Sequence, residues 1–480
     1  MVLRMRRALA LVFATSVLMI GGACSPDALV GPDGKRIANT VDPTFSRDIQ
    51  PLLQERCQTC HHEGGLAPMS LESYEIAKLF APGMAEQTRN RKMPPWGAFD
   101  TDECKPRFGF VENPSLTEAE MDMMEAWSKN GAPKGDEDEA PPPLTTFASP
   151  TLREPDKVMT VEKGWAARGT RDQFRCFVLD PKSPIPNFVQ AVGFRPGNPQ
   201  VVHHAIVFTD PKRESLRKIG EDGSYECFGS PEVSETQILY AWAPGNEPQD
   251  LGPRVGFYLP ADSLLVLQVH YHPQGDATLE DKSTVDLKMS PDLPEYVAYL
   301  GLFGNFDRAF GGGDGLMPGM NDAEPDKAEF RIPAGASNHV ELMKAKLPEK
   351  LGDYPIPEMR AIIVGSHMHY VGRDLKMEIE RSDTMPGEPT KECLVQTPQW
   401  DFNWQRGYKY DVAIEDAPRI KPGDTLQVRC TYDNTMSNPA LVAALREQNK
   451  TEPHDVKLGE QTLDEMCLGV LVTAFPNPLK

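Results

Sequence analysis

Positive charge is scarce in this 480-residue chain: 50 Lys and Arg stand against 70 Asp and Glu, a formal net charge of −20. That balance argues against nucleic acid and anionic lipid surfaces as partners, and it says little about fold. Long apolar runs are also few. The one at the start, Ala8 to Ile20, is too short to span a bilayer comfortably, and no later segment has the length and apolarity of a membrane helix. The glycine run Gly311-Gly312-Gly313 has no Lys-Ser/Thr after it, so it reads as a flexible surface loop and not a phosphate cradle. Histidines number only ten, and most fall in tight pairs. What the chain does have is 45 prolines and 38 glycines, which favour many short turns over long helical bundles. With 40% apolar residues it is long enough for about two to four domains, each with its own core.

Arg4, Arg6 and Arg7 precede the apolar run, and Gly21, Gly22 and Ala23 lead into Cys24. This order reads as an export signal over residues 1–24. It resembles a bacterial lipoprotein signal in which Cys24 is acylated, although Gly21 stands where leucine is usual; ordinary cleavage near Ala23 is the alternative. Either way the expected location is outside the cytoplasm: the periplasm, the outer membrane through a lipid anchor, or the cell surface. Membrane contact would run only through that N-terminal lipid. The nine cysteines, at 24, 57, 60, 104, 176, 227, 393, 430 and 467, would then lie where disulfides persist. Spacing alone does not decide how they pair.

Residues 25–44 read as a tether, 45–135 as a compact unit and 136–155 as a stiff solvated linker with Asp-Glu-Asp-Glu and Pro141-Pro142-Pro143. The last element of the compact unit is a predicted helix. Thr117 and Glu120 form a capping box, Met121, Met124 and Trp127 space an apolar face, and Gly131 and Pro133 stop it. Beyond about residue 156 the texture changes to short apolar or alternating runs separated by Pro, Gly and Asp. Val201 to Phe208, Leu264 to Tyr271, Arg360 to Val364 and Thr425 to Thr431 are the clearest. This is an all-β pattern, read as antiparallel sandwiches over 156–282 and 283–480.

Cys57-Gln58-Thr59-Cys60-His61 has the spacing of a c-type haem attachment site. Two thiols form thioethers with the porphyrin vinyl groups, and the adjacent histidine sits beneath the iron. A redox dithiol has no need of His61, and no second close cysteine pair completes an all-thiolate zinc site. Met93, in Lys92-Met93-Pro94-Pro95-Trp96, is the candidate for the opposite axial ligand, because the prolines hold the loop and leave few donors unpaired. Met69 and His62 are rivals, and a core role for Met93 is the plain alternative. From Phe45 through Gly135 the chain resembles cytochrome c units found ahead of other domains in bacterial secreted proteins. That resemblance implies a small all-α cytochrome c-like domain with one covalently bound haem c.

The histidine pairs are His203-His204, His270 with His272, and His367 with His369. Residues two apart on a strand share a face, so His367 and His369 can chelate one ion. Adjacent histidines point to opposite faces, so His203 and His204 share an ion only at a bulge or a strand end. A single such pair would read as half-buried, hydrogen-bonded β-histidines. Three clusters together favour metal, and imidazole alone does not choose which one.

From about Phe174 to Ala474 the sequence resembles the ascorbate-dependent type II copper monooxygenases, which include the peptidylglycine and dopamine hydroxylases. The motifs that carry this occur in the family's order: His203-His204 after a Val-Val strand, Ile238-Leu239-Tyr240-Ala241-Trp242-Ala243, and Val255-Gly256-Phe257. Leu267-Gln268-Val269-His270-Tyr271, the His-x-His at 367, and Asp464-Glu465-Met466-Cys467 complete the set. The resemblance implies two jelly-roll-like sandwiches and two coppers. His203, His204 and His270 match the electron-transfer copper. His367, His369 and Met466 match the copper where oxygen and substrate meet, and a soft thioether suits Cu(I). His272 is a second choice to His270, and Gln268 matches a position near the electron-transfer site. The same resemblance implies Cys176–Cys227 and Cys430–Cys467 disulfides; a Cys104–Cys393 pair would tie the haem unit to the copper unit.

The implied reaction is hydroxylation of a C–H bond in a small organic substrate by O2 and two external electrons. Those electrons come from an ascorbate-like reductant or a redox protein, or pass through the fused haem. Peptidylglycine enzymes hold the substrate carboxylate with an arginine and a tyrosine where this chain has Gly365 and Val470. An apolar or uncharged substrate is therefore expected. The aromatic run Trp400, Phe402, Trp404, Tyr408 and Tyr410 reads as sandwich core or as pocket lining. The rivals are a non-catalytic copper and haem electron-transfer or copper-binding lipoprotein, and a zinc hydrolase, which a thioether ligand disfavours.

Overall fold

The computed structural model describes residues 38–480 apart from 39, 66, 146–150, 170–171, 228, 274, 305–314, 320, 323, 325–326, 352 and 460–462. The export signal, Cys24, most of the tether and the Gly311-Gly312-Gly313 loop lie outside the described residues.

Three sheets carry the architecture. A five-stranded antiparallel sheet runs Ser224–Glu226, Gln173–Leu179, Leu264–Tyr271, Val202–Asp210, Ile238–Trp242. Its middle strand is buried at all eight positions, as a continuous apolar run between two partners requires. A four-stranded sheet runs Ser337–Lys346, Thr425–Asp433, Gly372–Glu380, Lys391–Thr397. Between them lies a ten-stranded sheet whose centre is Val255–Leu259, Tyr296–Gly304, Leu468–Pro476 and Met359–His367. Because successive side chains on a strand face opposite ways, Val472 joins the core shared with the five-stranded sheet while Leu471 joins the core shared with the four-stranded one. The strand Leu468–Pro476 is therefore a common wall of both sandwiches. Thr284–Ser290, just past the division expected at residue 283, pairs with Asn187–Arg195 of the first sandwich.

The expected cytochrome c-like domain is overturned. Strand makes up 36% of the described residues and helix 14%, and only four α-helices occur among them. Within 45–135 there are three, Gln50–Arg56, Tyr74–Arg89 and Glu118–Lys129. The last has its capping box: Thr117 accepts from the Glu120 N–H at 3.2 Å, and Glu120 accepts from the Thr117 N–H at 2.8 Å. The stretch between the second and third helices leaves the helical core and crosses to the second sandwich. There Trp96 and Ala98 join its core, the Trp96 ring meets Tyr408 edge-on at 4.9 Å, and Phe110 bridges to Tyr410. Cys104 is bonded to Cys393. Burying these aromatics on a sheet nearly 300 residues away in sequence removes the middle of the unit, so a closed all-α domain never forms. Two β-sandwiches with a small helical cap are what the sequence builds.

Three disulfides are present, Cys104–Cys393, Cys176–Cys227 and Cys430–Cys467, which fits an oxidising compartment. No helix among the described residues is long and apolar enough to cross a membrane.

The Cys104–Cys393 bond should be what keeps the crossing segment seated. Replacing both cysteines with serine is expected to lower unfolding free energy by about 2–5 kcal/mol and to open the segment around residues 90–111 to proteolysis. Urea denaturation and limited digestion read both, and unchanged values would remove that role.

Candidate metal centres on a shared cavity

The first centre is built where two strands fall out of step. Leu264–Tyr271 pairs with Val202–Asp210, and the register runs His270 opposite His204 and then Tyr271 opposite Val202. His203 is thus the extra residue of a bulge, which lets two adjacent histidines turn to one side. His204 Nδ1 lies 3.1 Å from His203 Nδ1 and 3.2 Å from His270 Nδ1. The ligand atoms of all three lie within 4.8 Å of one another.

An imidazole nitrogen offers one in-plane lone pair or one N–H. Two short contacts at His204 Nδ1 therefore cannot both be ordinary two-centre hydrogen bonds; one N–H would have to be shared between them. Three nitrogens around one cation satisfy them together: with bonds of about 2.0 Å, tetrahedral directions put neighbouring nitrogens about 3.3 Å apart. The donor set fits copper, as imidazole does several metals.

The outer nitrogens are also held. Asn403 Oδ1 lies 3.0 Å from His203 Nε2, and Asp172 Oδ2 lies 2.9 Å from His270 Nε2. Asp172 meets His272 Nδ1 with its other oxygen at 2.8 Å, so His272 serves the supporting carboxylate and not the first cluster. Such a carboxylate fixes which ring nitrogen is left for the metal. Burial, then repulsion from His270, pushes His203 down to about 4 and His204 well below its ordinary value. Both stay neutral at pH 7, as ligands must. Gln268, buried on the same strand, points its amide at Cys227 Sγ, 3.6 Å away.

The second cluster stands at the end of the common wall. Met359–His367 pairs with Leu468–Pro476, with His367 opposite Leu468, and His369 and Met466 follow just beyond that last pair. His367 and His369 lie with ring centroids 5.2 Å apart. Gln405 Oε1 sits 2.7 Å from His367 Nδ1, and the Asp464 carbonyl 3.0 Å from His369 Nδ1. Burial lowers the His367 pKa, with the Gln405 hydrogen bond opposing it. Behind them, buried Glu465 accepts from the backbone N–H groups of His369 and Met466. Burial raises its pKa to about 8 against those donors. The Cys430–Cys467 disulfide and a 2.8 Å bond from Tyr432 Oη to the Met466 carbonyl fix the methionine's backbone.

One cavity of about 430 Å³ takes in both clusters: His204 and His270 on one side, His367, His369 and Met466 on the other. Phe402 lies between, with ring centroids 5.8 Å from His203, stacked at 21°, and 5.9 Å from His369. Trp400, Tyr408 and Tyr410 are core, as one reading of the aromatic run expected, while Phe402 lines the cavity. Asp172, Asn403, Gln405 and Glu465 were not singled out as functional from sequence. Each is a lone polar residue with no motif spacing, although Glu465 lies inside a recognised motif.

In the helical cap, Cys57 and Cys60 are free, half-buried thiols, while every other described cysteine is paired. Burial pushes the Cys57 thiol up to about 12, opposite to the depressed values of redox dithiols. His61 Nδ1 meets the Met69 carbonyl at 3.2 Å, leaving Nε2 as the nitrogen to offer. Met69 packs on the cap's core; Met93, half-buried, follows the second helix. These residues fit thioether attachment of a haem without a cytochrome fold around it.

No family model and no curated protein matches the chain. Among solved structures, the naturally occurring empty particles of cowpea mosaic virus (top component) align at 9% identity over 69% of this chain and 94% of that one, with a TM-score of 0.21. T=1 particles derived from infectious bursal virus align at 9% identity over 67% and 78%, with a TM-score of 0.09. Scores this low carry no argument about fold or function.

Asp172→Asn should weaken copper binding at the first centre by roughly tenfold to a hundredfold, read by competition with a Cu(I) chelator; an unchanged affinity would end its supporting role. A pH effect follows too. The folded pKa of His203 and His204 lies below the ordinary 6.5, so the unfolded chain takes up their protons first as pH falls. The His203 contribution is present above pH 6.5 and lost as pH drops towards about 4, and the His204 contribution is lost in the same direction. Metal-free protein should therefore unfold at lower urea at pH 5 than at pH 7, and His203→Asn/His204→Asn should flatten that slope.

Proposed function

We propose that this chain is an exported copper-dependent monooxygenase that hydroxylates a C–H bond of a small organic substrate. Per turnover one O2 and two external electrons are consumed; one oxygen atom enters the substrate and the other leaves as water with two protons. The observation that carries this reading is a cluster of three imidazoles beside a cavity that His204, His270, His367, His369 and Met466 all line.

In this reading His203, His204 and His270 hold the electron-transfer copper, and His367, His369 and Met466 hold the oxygen-binding copper. Bound copper would supply one-electron storage and a position for oxygen. The protein's own residues do the rest. Asp172, Asn403 and Gln405 fix ring orientation through the outer nitrogens. The methionine favours the reduced state. Apolar wall residues such as Leu300, Leu302, Val470 and Val472 give the substrate a dry surface. Cys57, Cys60, His61 and Met93 would hold a haem, which would supply a route for electrons from a redox protein or an ascorbate-like donor. The location we favour is the periplasm or the outer membrane, with Cys24 lipidated.

Met466→Ala should abolish substrate-dependent O2 consumption while leaving the three-imidazole copper largely in place. Full activity in that variant would refute the assignment. Wild-type protein, reduced and copper-loaded, that consumes no O2 with any substrate in a labelled-oxygen product screen would instead be a copper and haem carrier.

A further inference from the structure

The cavity has an end that neither metal cluster uses. Arg406 reaches it from the turn before the strand Gly407–Lys409, and Trp96 reaches it from the segment crossing out of the helical cap. The Trp96 side chain is only 4% exposed, yet its Nε1–H makes no hydrogen bond within the protein. Arg406 Nε is likewise buried without a partner, and its guanidinium forms no ion pair among the described residues. Tyr408, two residues on from Arg406, packs edge-on against the Trp96 ring and donates to the Trp96 carbonyl at 2.6 Å. The backbone supporting both donors is thereby fixed.

A guanidinium stays charged in any protein environment, and leaving it and an indole N–H unpaired in a buried place is costly. Both are donors only, so the missing partner is an acceptor. Glu112 and Glu247 lie on the same wall. Burial, then Glu112, pushes Glu247 towards its neutral form, and the Arg406 charge opposes that shift without reversing it. With acidic neighbours beside a single cation, a monoanion is better accommodated than a dianion such as phosphate. The planar fork suits two coplanar oxygens.

We infer that Arg406 and Trp96 form a carboxylate-binding end of the cavity. The inference rests on the monooxygenase reading for what the cavity is for, and it revises the expectation of an uncharged substrate drawn from Gly365 and Val470 alone. Two sources supply such a group. One is a carboxylic acid substrate, held with its hydrocarbon part against the apolar wall. The other is a propionate of a porphyrin attached at Cys57 and Cys60, since Cys60 lies close enough to Arg406 for each to shift the other's ionisation.

The test uses full-length protein in two forms, haem-bearing and Cys57→Ser/Cys60→Ser, with benzoate as probe and benzyl alcohol as its neutral counterpart, measured by calorimetry. Benzoate is expected to bind at least one form, roughly tenfold or more weaker after Arg406→Gln, with a smaller loss for Trp96→Phe and partial rescue by Arg406→Lys. Benzyl alcohol should be indifferent to all three. Binding by both forms assigns the carboxylate to a ligand from solution. Binding only by the form without attached porphyrin assigns it to a propionate, and Arg406→Gln should then shift the haem reduction potential. Benzoate binding that ignores Arg406, or its absence in both forms, overturns the inference. Copper stoichiometry measured on the same samples keeps this result separate: loss of copper from wild type would sink the monooxygenase reading and leave the benzoate result standing.

Discussion

His204 Nδ1 faces two other imidazole nitrogens at 3.1 and 3.2 Å and has one in-plane site with which to meet them. A shared cation would resolve that conflict, and several features of the surrounding structure bear on it. The bulge turns His203 round to join its neighbour. Asp172 and Asn403 occupy outer nitrogens, which leaves the Nδ1 atoms to converge. Burial keeps the His203 and His204 rings neutral. In the reading proposed here, a bound metal would account for each of these features.

The second cluster depends on the first through a single stretch of chain. Trp400 Nε1 donates to the His369 carbonyl at 3.1 Å, Phe402 sits against histidines of both clusters, Asn403 holds His203, and Gln405 holds His367. Residues 400–406 thus orient both centres and place Arg406 at the cavity's far end. A rigid link of this kind holds Phe402 against histidines of both clusters, on the cavity that both line.

Much of the β architecture was legible in the sequence, because buried strands need apolar runs and the runs at Leu264 to Tyr271 and Thr425 to Thr431 have them. The helix Glu118–Lys129 was legible through its capping box. Tyr74–Arg89 was not singled out: its Ser73 cap is a clear start, but Pro82 inside it and the exposed Leu79 blur the apolar face. The cytochrome-like domain was misread because the Cys-x-x-Cys-His motif is local, whereas the fate of residues 90–117 is decided by Cys393 and Tyr408 far along the chain. The metal-ligand candidates announced themselves as paired histidines. Their supports, Asp172, Asn403 and Gln405, had no spacing to announce them, since a second-layer contact is fixed by the fold and not by neighbours in sequence.

X-ray absorption at the copper edge of the reduced, copper-loaded full-length protein tests the central claim most directly. Two coppers per chain with nitrogen scattering at both and a sulfur scatterer at one is the result this account requires. A single copper, or nitrogen-only surroundings that do not change when Met466 is replaced, would contradict it.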